Sequence, residues 1–213
     1  MVCDICGNDQ RFETLLNPGF SGEYAGSKFI RCNDCEFVFL YPMLSDRQLQ
    51  EFYHETDYYV YEINEDWKRR EADFRAHSLM RDTGSSKGSK LLEIGSSYGY
   101  FLDSMAKRGF QCEGVEFNRR AVEKVRQKGY VIYEDPIEDI CDAIPSSFDV
   151  IAFWHTLEHV PDPRTFLRRV NRLLKMRGIC AVAVPNMDSL HFLSKGTRWS
   201  WFGMPHVCII LRI

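Results

Sequence analysis

The sequence predicts an α/β protein built on a Rossmann-like, doubly wound and mostly parallel sheet, with a small four-cysteine module ahead of it. Three observations carry that expectation. From Lys90 onward, short apolar runs alternate with amphipathic stretches, the pattern of strand–helix–strand units. The first of those runs leads into a glycine-bearing loop that opens a helix, LLEIGSSYGYF. Two Cys-x-x-Cys pairs lie in a leading segment that shows no long helical period.

Size and charge narrow the field before any motif is used. At 213 residues with 45% hydrophobic composition, the chain can bury one α/β core and a small appendage. A net charge of −3 gives no excess of positive charge to draw it to duplex nucleic acid or acidic lipid. The clusters Lys68-Arg69-Arg70, Arg119-Arg120 and Arg168-Arg169 read as solvated helix surface. No run approaches the ~20 apolar residues of a membrane span, and the Met-Val-Cys-Asp start resembles no export signal. The expectation is a cytoplasmic protein with a module at 1–42, a helical linker and candidate lid at 43–89, and the main core at 90–213.

Each element has its own justification. The segment from Cys3 to Pro42 is rich in Gly, Asn and Asp, with short aromatic runs such as Phe37–Leu40; with little core of its own it needs a staple. A helix is expected from Ser45, with Leu49, Phe52 and Tyr53 on one side, and a second from Trp67 to Met80. Gly84–Ser89 is a flexible connector. Five strands follow, at Lys90–Ile94, Cys112–Glu116, Tyr130–Tyr133, Val150–Phe153 and Ile179–Val184. The intervening helices carry Phe101, Leu102 and Met105 on one side, then Ala121, Val122 and Val125 inward, and finally contain Phe166, Leu167, Val170, Leu173 and Leu174. Gly109, Gly129 and Arg177-Gly178 stop them.

The loop after the first strand selects its ligand. Gly95 and Gly99 let a ligand approach the backbone, and the helix beyond offers unpaired N–H groups. Dinucleotide loops read Gly-x-Gly-x-x-Gly, whereas this one reads Glu-x-Gly-x-x-x-Gly from Glu93. A carboxylate there suits the ammonium of a bound amino acid and repels a pyrophosphate, which argues against a nicotinamide-dependent oxidoreductase. Glu116 ends the second strand 21 residues after Gly95, where a carboxylate accepts both hydroxyls of an unphosphorylated ribose. Loop and carboxylate together point to a nucleoside.

From Lys90 to about Asn186, the stretches LLEIGSSYG, GVEFN, FDVIAFWHTLEHVPDP and RGICAVAVPN resemble the successive motifs of class I S-adenosylmethionine-dependent methyltransferases. The FWHTLEHVPDP wording is similar to a subgroup that includes the ubiquinone-pathway O-methyltransferases. The resemblance implies a cofactor, S-adenosylmethionine, held by Glu93, Gly95, Ser96, Gly99, Glu116, Phe117, Asp135, Ile137 and Trp154. In that scheme Asp135 meets the adenine amino group and Ile137 the ring. One departure is Ser97, where the family often has glycine. The family core continues past the fifth strand with a helix and an antiparallel hairpin, and Met187–Ile213 has room for one more strand only. The expectation is therefore a core truncated at its C-terminus, with an exposed edge that invites pairing with a second copy.

Cys3, Cys6, Cys32 and Cys35 have knuckle spacing, whereas Cys112, Cys141, Cys180 and Cys208 are scattered. Gly7 supplies a tight turn that aims backbone N–H groups at thiolate sulfur. Four soft thiolates favour a tetrahedral Zn2+ site, and a set filled by protein leaves no open position, so the metal is read as structural. The arrangement is similar to sugar-nucleotide C-methyltransferases, which tilts the expected substrate from small molecules in general toward a sugar or glycan precursor.

For catalysis the candidates are His155, just past the fourth strand, and His206, after the aromatic run of Trp199, Trp201 and Phe202. Two readings stay open for His155: a general base, or a histidine that only packs against the cofactor or hydrogen-bonds a loop. Glu158 and His159 read as structural supports of the turn at Pro161-Asp162-Pro163. The aromatic residues Tyr53, Tyr58, Tyr59, Tyr61, Phe192, Trp199, Trp201 and Phe202 read as core or as a substrate lid. A competing function is a zinc knuckle that binds a partner protein or single-stranded RNA, attached to an inactive methyltransferase domain.

Overall fold

A computed structural model describes residues 1–17, 25–43, 64–84, 87–135, 137–142, 144, 147–199 and 202. The expected helix from Ser45, Tyr53, Tyr58, Tyr59 and Tyr61, Trp201, Cys208 and the candidate base His206 lie outside these residues. The chain divides into two compact units, one formed by Met1–Phe52, His155–Arg164 and Ala183–Ile213, the other by Tyr53–Trp154 and Thr165–Val182.

In the first unit, β1 (Phe12–Leu16), β2 (Lys28–Cys32) and β3 (Val38–Tyr41) form an antiparallel sheet in that order. The leading segment thus has more core than its composition suggests. Phe29, Ile30, Phe37, Val38, Phe39 and Leu40 are all buried, and Phe37 stacks on Phe39 at 5.5 Å. Later in this unit, α6 (Leu190–Lys195) is capped by the Ser189 hydroxyl, which accepts from the Phe192 amide. Phe192, Trp199 and Phe202 then pack edge to face.

The second unit opens with α1 (Glu65–Thr83). It then alternates β4 (Lys90–Ile94), α2 (Tyr100–Lys107), β5 (Gln111–Val115), α3 (Arg119–Gln127), β6 (Val131–Tyr133), α4 (Ile137–Ile140), β7 (Phe148–Trp154), α5 (Pro163–Leu173) and β8 (Leu174–Ala183). The strands stand in the order β6-β5-β4-β7-β8, with β4 parallel to both β5 and β7, and β5 parallel to β6. This is the expected doubly wound order, and it reverses direction between β4 and β7. In such sheets ligands bind outside the carboxyl ends of the strands at that reversal.

The reason β4 sits at the centre is its composition. Leu91 and Leu92 are fully buried on opposite faces, as in a strand covered by helices on both sides. One face receives Phe101, Leu102 and Met105 of α2, Val122 and Val125 of α3, and Ala72, Ala76 and Leu79 of α1. Burial of each larger side chain contributes about 1.5–3 kcal/mol. Two of the basic clusters do more than face solvent. Arg69 pairs with Glu65 at 2.6 Å and reaches Asp103 of α2 at 3.5 Å, and Arg169 lies 3.3 Å from the Cys141 sulfur.

The last helix boundary differs from expectation. α5 stops at Leu173, and Leu174–Met176 are already extended. Here Lys175 grips both oxygens of Asp149 at 2.8 and 2.9 Å, while Asp149 also accepts from the Lys90 amide at 2.8 Å. One carboxylate therefore joins the starts of three strands, a long-range tie that a helical period cannot reveal. Among the described residues no helix is long and apolar enough to cross a membrane.

Candidate cofactor cleft and four-cysteine centre

The glycine loop is anchored at the carboxyl end of β4. The amides of Gly95 and Ser96 both donate to the Val115 carbonyl, at 2.9 and 3.1 Å, and the Gly99 amide donates to the Ser96 carbonyl at 2.8 Å. Gly95 (φ 74) and Gly99 (φ 71) hold left-handed backbone, and so does Ser97 (φ 48). The family preference for glycine at the Ser97 position thus has a conformational cause. Lys128 fixes the far side of the loop by donating to the Tyr98 carbonyl at 2.6 Å and to Asp103 at 2.7 Å. Gly114 of β5 makes room for the loop, since a Cβ there would lie 2.9 Å from the Ser96 hydroxyl.

Glu116 is held as rigidly as the loop. Its Oε1 accepts from the amides of Phe117 (3.0 Å) and Asn118 (2.9 Å), and its Oε2 from the amide of Ser97 (2.8 Å). Asn118 in turn caps α3 by accepting from the Ala121 amide. Burial pushes the Glu116 carboxyl up, against the pull of the three amides. Each carboxylate oxygen has two acceptor sites and the three amides fill three of the four, so one site, on Oε2, remains for a hydroxyl donor.

The remaining expected contacts fall into two groups. Glu93 is buried and its Oε2 has no hydrogen-bond partner among the described residues; the Ser96 and Ser97 hydroxyls and Trp154 Nε1 are in the same condition. Register sets Glu93 of β4 opposite Ala152 of β7, so these orphaned groups belong to the carboxyl ends of two adjacent strands, β4 with the loop after it and β7. Buried polar atoms are normally satisfied, and a cluster of unsatisfied ones marks a place for a polar ligand. Ile137 is buried, Asp135 is exposed and Phe117 is 37% exposed.

Arg75 was not singled out by its sequence context. Its guanidinium lies 5.1 Å from the Trp154 ring centre, within cation–π range, and is tied to Glu71 at 2.5 Å. Burial drives the Glu93 carboxyl well above the usual range; Arg75 opposes that rise and Glu116 adds to it. An acid whose folded-state pKa is raised contributes stability below its unfolded value near 4.5 and loses it as pH rises through the folded value. Glu93→Gln is therefore expected to raise the melting temperature of the ligand-free chain, increasingly so toward pH 8. A calorimetric scan in which the mutant gains nothing at pH 8 over pH 5 would contradict this.

In the other unit, His155 directly follows β7 in left-handed backbone (φ 55), with its amide donating to the Ala183 carbonyl at 2.9 Å. Its Nδ1 lies 3.2 Å from Glu158 Oε1. Glu158, expected to brace the Pro161–Pro163 turn, is completely buried and faces the imidazole instead.

The four cysteine sulfurs of Cys3, Cys6, Cys32 and Cys35 lie within 4.8 Å of one another, with Cys3–Cys35 and Cys6–Cys32 at 3.6 Å. A tetrahedron with metal–sulfur bonds near 2.3 Å has edges of about 3.8 Å, so the donor set fits zinc. The two loops repeat one pattern. The amide of Gly7 donates to the Cys3 carbonyl and that of Cys3 to Asn8, while Glu36 donates to Cys32 and Cys32 to Phe37. The turn residue is left-handed in both, Gly7 at φ 79 and Glu36 at φ 60. Burial opposes ionisation of Cys32, but the Asn8 side-chain amide at 3.3 Å and the backbone amides of Cys35 and Asp34 outweigh it and bring the thiol to about 6. Burial pushes Cys3 and Cys35 up. The role of Asn8 had no sequence signal beyond its place next to Gly7.

Comparison with known proteins agrees with this geometry. The chain is 29% identical over 140 residues to a ubiquinone biosynthesis O-methyltransferase of Neisseria meningitidis, covering 55% of this chain and 59% of that protein. It is 35% identical over 99 residues to the protein of that name from Idiomarina loihiensis, covering 43% and 40%. The chain thus spans about half the length of the curated relatives it matches. Among solved structures, an S-adenosylmethionine-dependent methyltransferase from Archaeoglobus fulgidus superimposes with a TM-score of 0.54 at 21% identity, covering 65% of this chain and 63% of that one. A candidate enzyme of the same kind from Methanococcus maripaludis gives 0.55 at 17% identity, covering 75% and 76%. At such identities the likeness speaks for the fold. The sequence model described as "Methyltransferase domain" matches residues 65–211, and the chain belongs to that family.

Proposed function

We propose that the protein transfers a methyl group from S-adenosylmethionine to a small-molecule acceptor, a sugar or glycan precursor in particular. The observation that carries this reading is the group of orphaned buried atoms of Glu93, Ser96, Ser97 and Trp154 beside the preorganised Glu116 carboxylate. When bound, the cofactor supplies an electrophilic methyl group. Glu116 accepts a ribose hydroxyl through Oε2 and Glu93 accepts from the ammonium group, which compensates the cost of its burial. Gly95, Ser96 and Gly99 let the ligand approach the backbone. Phe117, Asp135 and Ile137 border the adenine, and Trp154 forms a wall. His155, covalently next to Trp154 at the end of β7, takes the proton of the acceptor. Cys3, Cys6, Cys32 and Cys35 hold one structural zinc that takes no part in the chemistry. The names of the relatives support a small-molecule acceptor; the resemblance of the cysteine module to sugar C-methyltransferases supports a sugar.

S-adenosylhomocysteine is expected to raise the melting temperature where NAD does not, and Glu116→Ala to remove the shift. A mutant that responds like the parent would overturn the ribose assignment. Radiolabelled methyl transfer to a panel of nucleotide-linked deoxysugars and polyhydroxyphenols tests the acceptor class; label on neither class rejects the proposed activity.

A further inference from the structure

We propose that Glu158 is the positioning residue of His155, fixing the imidazole as the Nδ1–H tautomer so that Nε2 presents its lone pair to the acceptor. This rests on the reading of His155 as base. Four features of the loop after β7 support it.

Glu158 is fully buried and its Oε1 lies 3.2 Å from Nδ1, while the His155 side chain keeps 35% of its surface exposed. The pair is arranged with its fixed member inside and its working member outside. An ionised carboxylate only accepts hydrogen bonds, so the shared proton sits on Nδ1, which leaves Nε2 as the acceptor. The spacing is also suited to the task. Glu158 lies in a 3-10 turn, Leu157–His159, and a three-residue separation brings it back under His155.

The backbone supports the same reading. His155 holds left-handed backbone at φ 55 and is anchored through its amide to the Ala183 carbonyl at 2.9 Å. Residues other than glycine persist in that region where surrounding structure over-determines them, commonly at functional sites. Finally, Glu158 Oε2 has no hydrogen-bond partner among the described residues. A glutamate that served only to tie a turn would be expected to use both oxygens. A half-satisfied buried carboxylate is instead matched to a neighbour that becomes cationic. In the transfer step the acceptor's proton moves to Nε2 and its electron pair stays on the acceptor atom, which bonds to the methyl carbon. The carbon–sulfur pair remains on sulfur, and the imidazolium formed lies against Glu158.

The test begins without any substrate. Two-bond nitrogen–proton correlations in histidine-labelled protein are expected to show His155 as the Nδ1–H form. In Glu158→Gln, whose amide can donate to Nδ1, they are expected to show Nε2–H. Wild-type protein in the Nε2–H form overturns the proposal, and this measurement stands even if a variant fails to fold. With an acceptor from the methyl-transfer panel, Glu158→Gln should lower kcat about 10²-fold with KM and the S-adenosylhomocysteine thermal shift unchanged, and Glu158→Asp should recover part of the loss. An unchanged tautomer in Glu158→Gln overturns the role of Glu158 alone, since it leaves the effect of replacing His155 intact. A switched tautomer with normal kcat overturns the base reading itself and the proposal with it.

Discussion

The His155→Gln protein is expected to transfer methyl groups roughly 10²–10⁴-fold more slowly than the parent while binding S-adenosylhomocysteine within a few-fold of it. Glutamine keeps the polarity and much of the volume of histidine but cannot take up a proton at neutral pH. Its backbone must also adopt φ 55, a conformation that histidine tolerates better than most residues; circular dichroism and the thermal shift therefore accompany the kinetics. The loss should shrink as pH rises, because an acceptor that ionises in solution needs less help. A histidine that only packed would behave differently. Its removal would weaken cofactor binding and turnover together, by an amount set by lost contacts. Near-normal turnover with an intact thermal shift would leave positioning as the only catalytic device.

The parts of this protein legible in the sequence are those encoded locally. Strand β4 and the loop after it are fixed by an apolar run, two glycines and a helix start, all within Lys90–Phe101, and β4 has the expected limits. The boundary between α5 and β8 was not legible, because Leu174–Met176 continues a helical period and the Lys175–Asp149 pair that draws it into the sheet spans 26 residues. The three-stranded sheet was hidden for another reason. Phe37–Leu40 is buried throughout instead of alternating, so it lacks the period of a half-exposed strand. The site divides in the same way. Glu93, Gly95 and Glu116 are candidates that spacing alone proposes, whereas the bond from the Ser97 amide to Glu116 depends on φ 48 at Ser97. Glu158 did leave a signal, its three-residue spacing from His155, but only its complete burial separates that from a surface turn.

Zinc removal is expected to have the largest effect on stability. Freshly prepared protein should carry about one zinc per chain, and Cys32→Ser should lose it together with the fold of the β1–β3 sheet. Structural zinc in small finger peptides binds with apparent free energies of about 10–16 kcal/mol. The six buried apolar residues of this sheet, Phe29, Ile30, Phe37, Val38, Phe39 and Leu40, must offset the ordering of two long loops at about 1–2 kcal/mol per residue. On that scale a bound zinc would decide whether the module is folded. Acid should act in the same direction. The Cys32 thiol is lowered from 9.0 to about 6, so its contribution is complete above 9 and is lost as pH falls through about 6. Chelator or acidification to about pH 5 should therefore release zinc and abolish the strand signal of this sheet. Within the same unit Arg164 donates to the Ile5 carbonyl of the first knuckle, and its neighbours in sequence carry His155 and Glu158. Metal loss is accordingly expected to reduce methyl transfer while the thermal response to S-adenosylhomocysteine, which depends on the β4 loop and Glu116, persists. Elemental analysis that finds no zinc in protein never exposed to chelator would remove the metal from this account, and equal zinc content in Cys32→Ser would reassign its ligands.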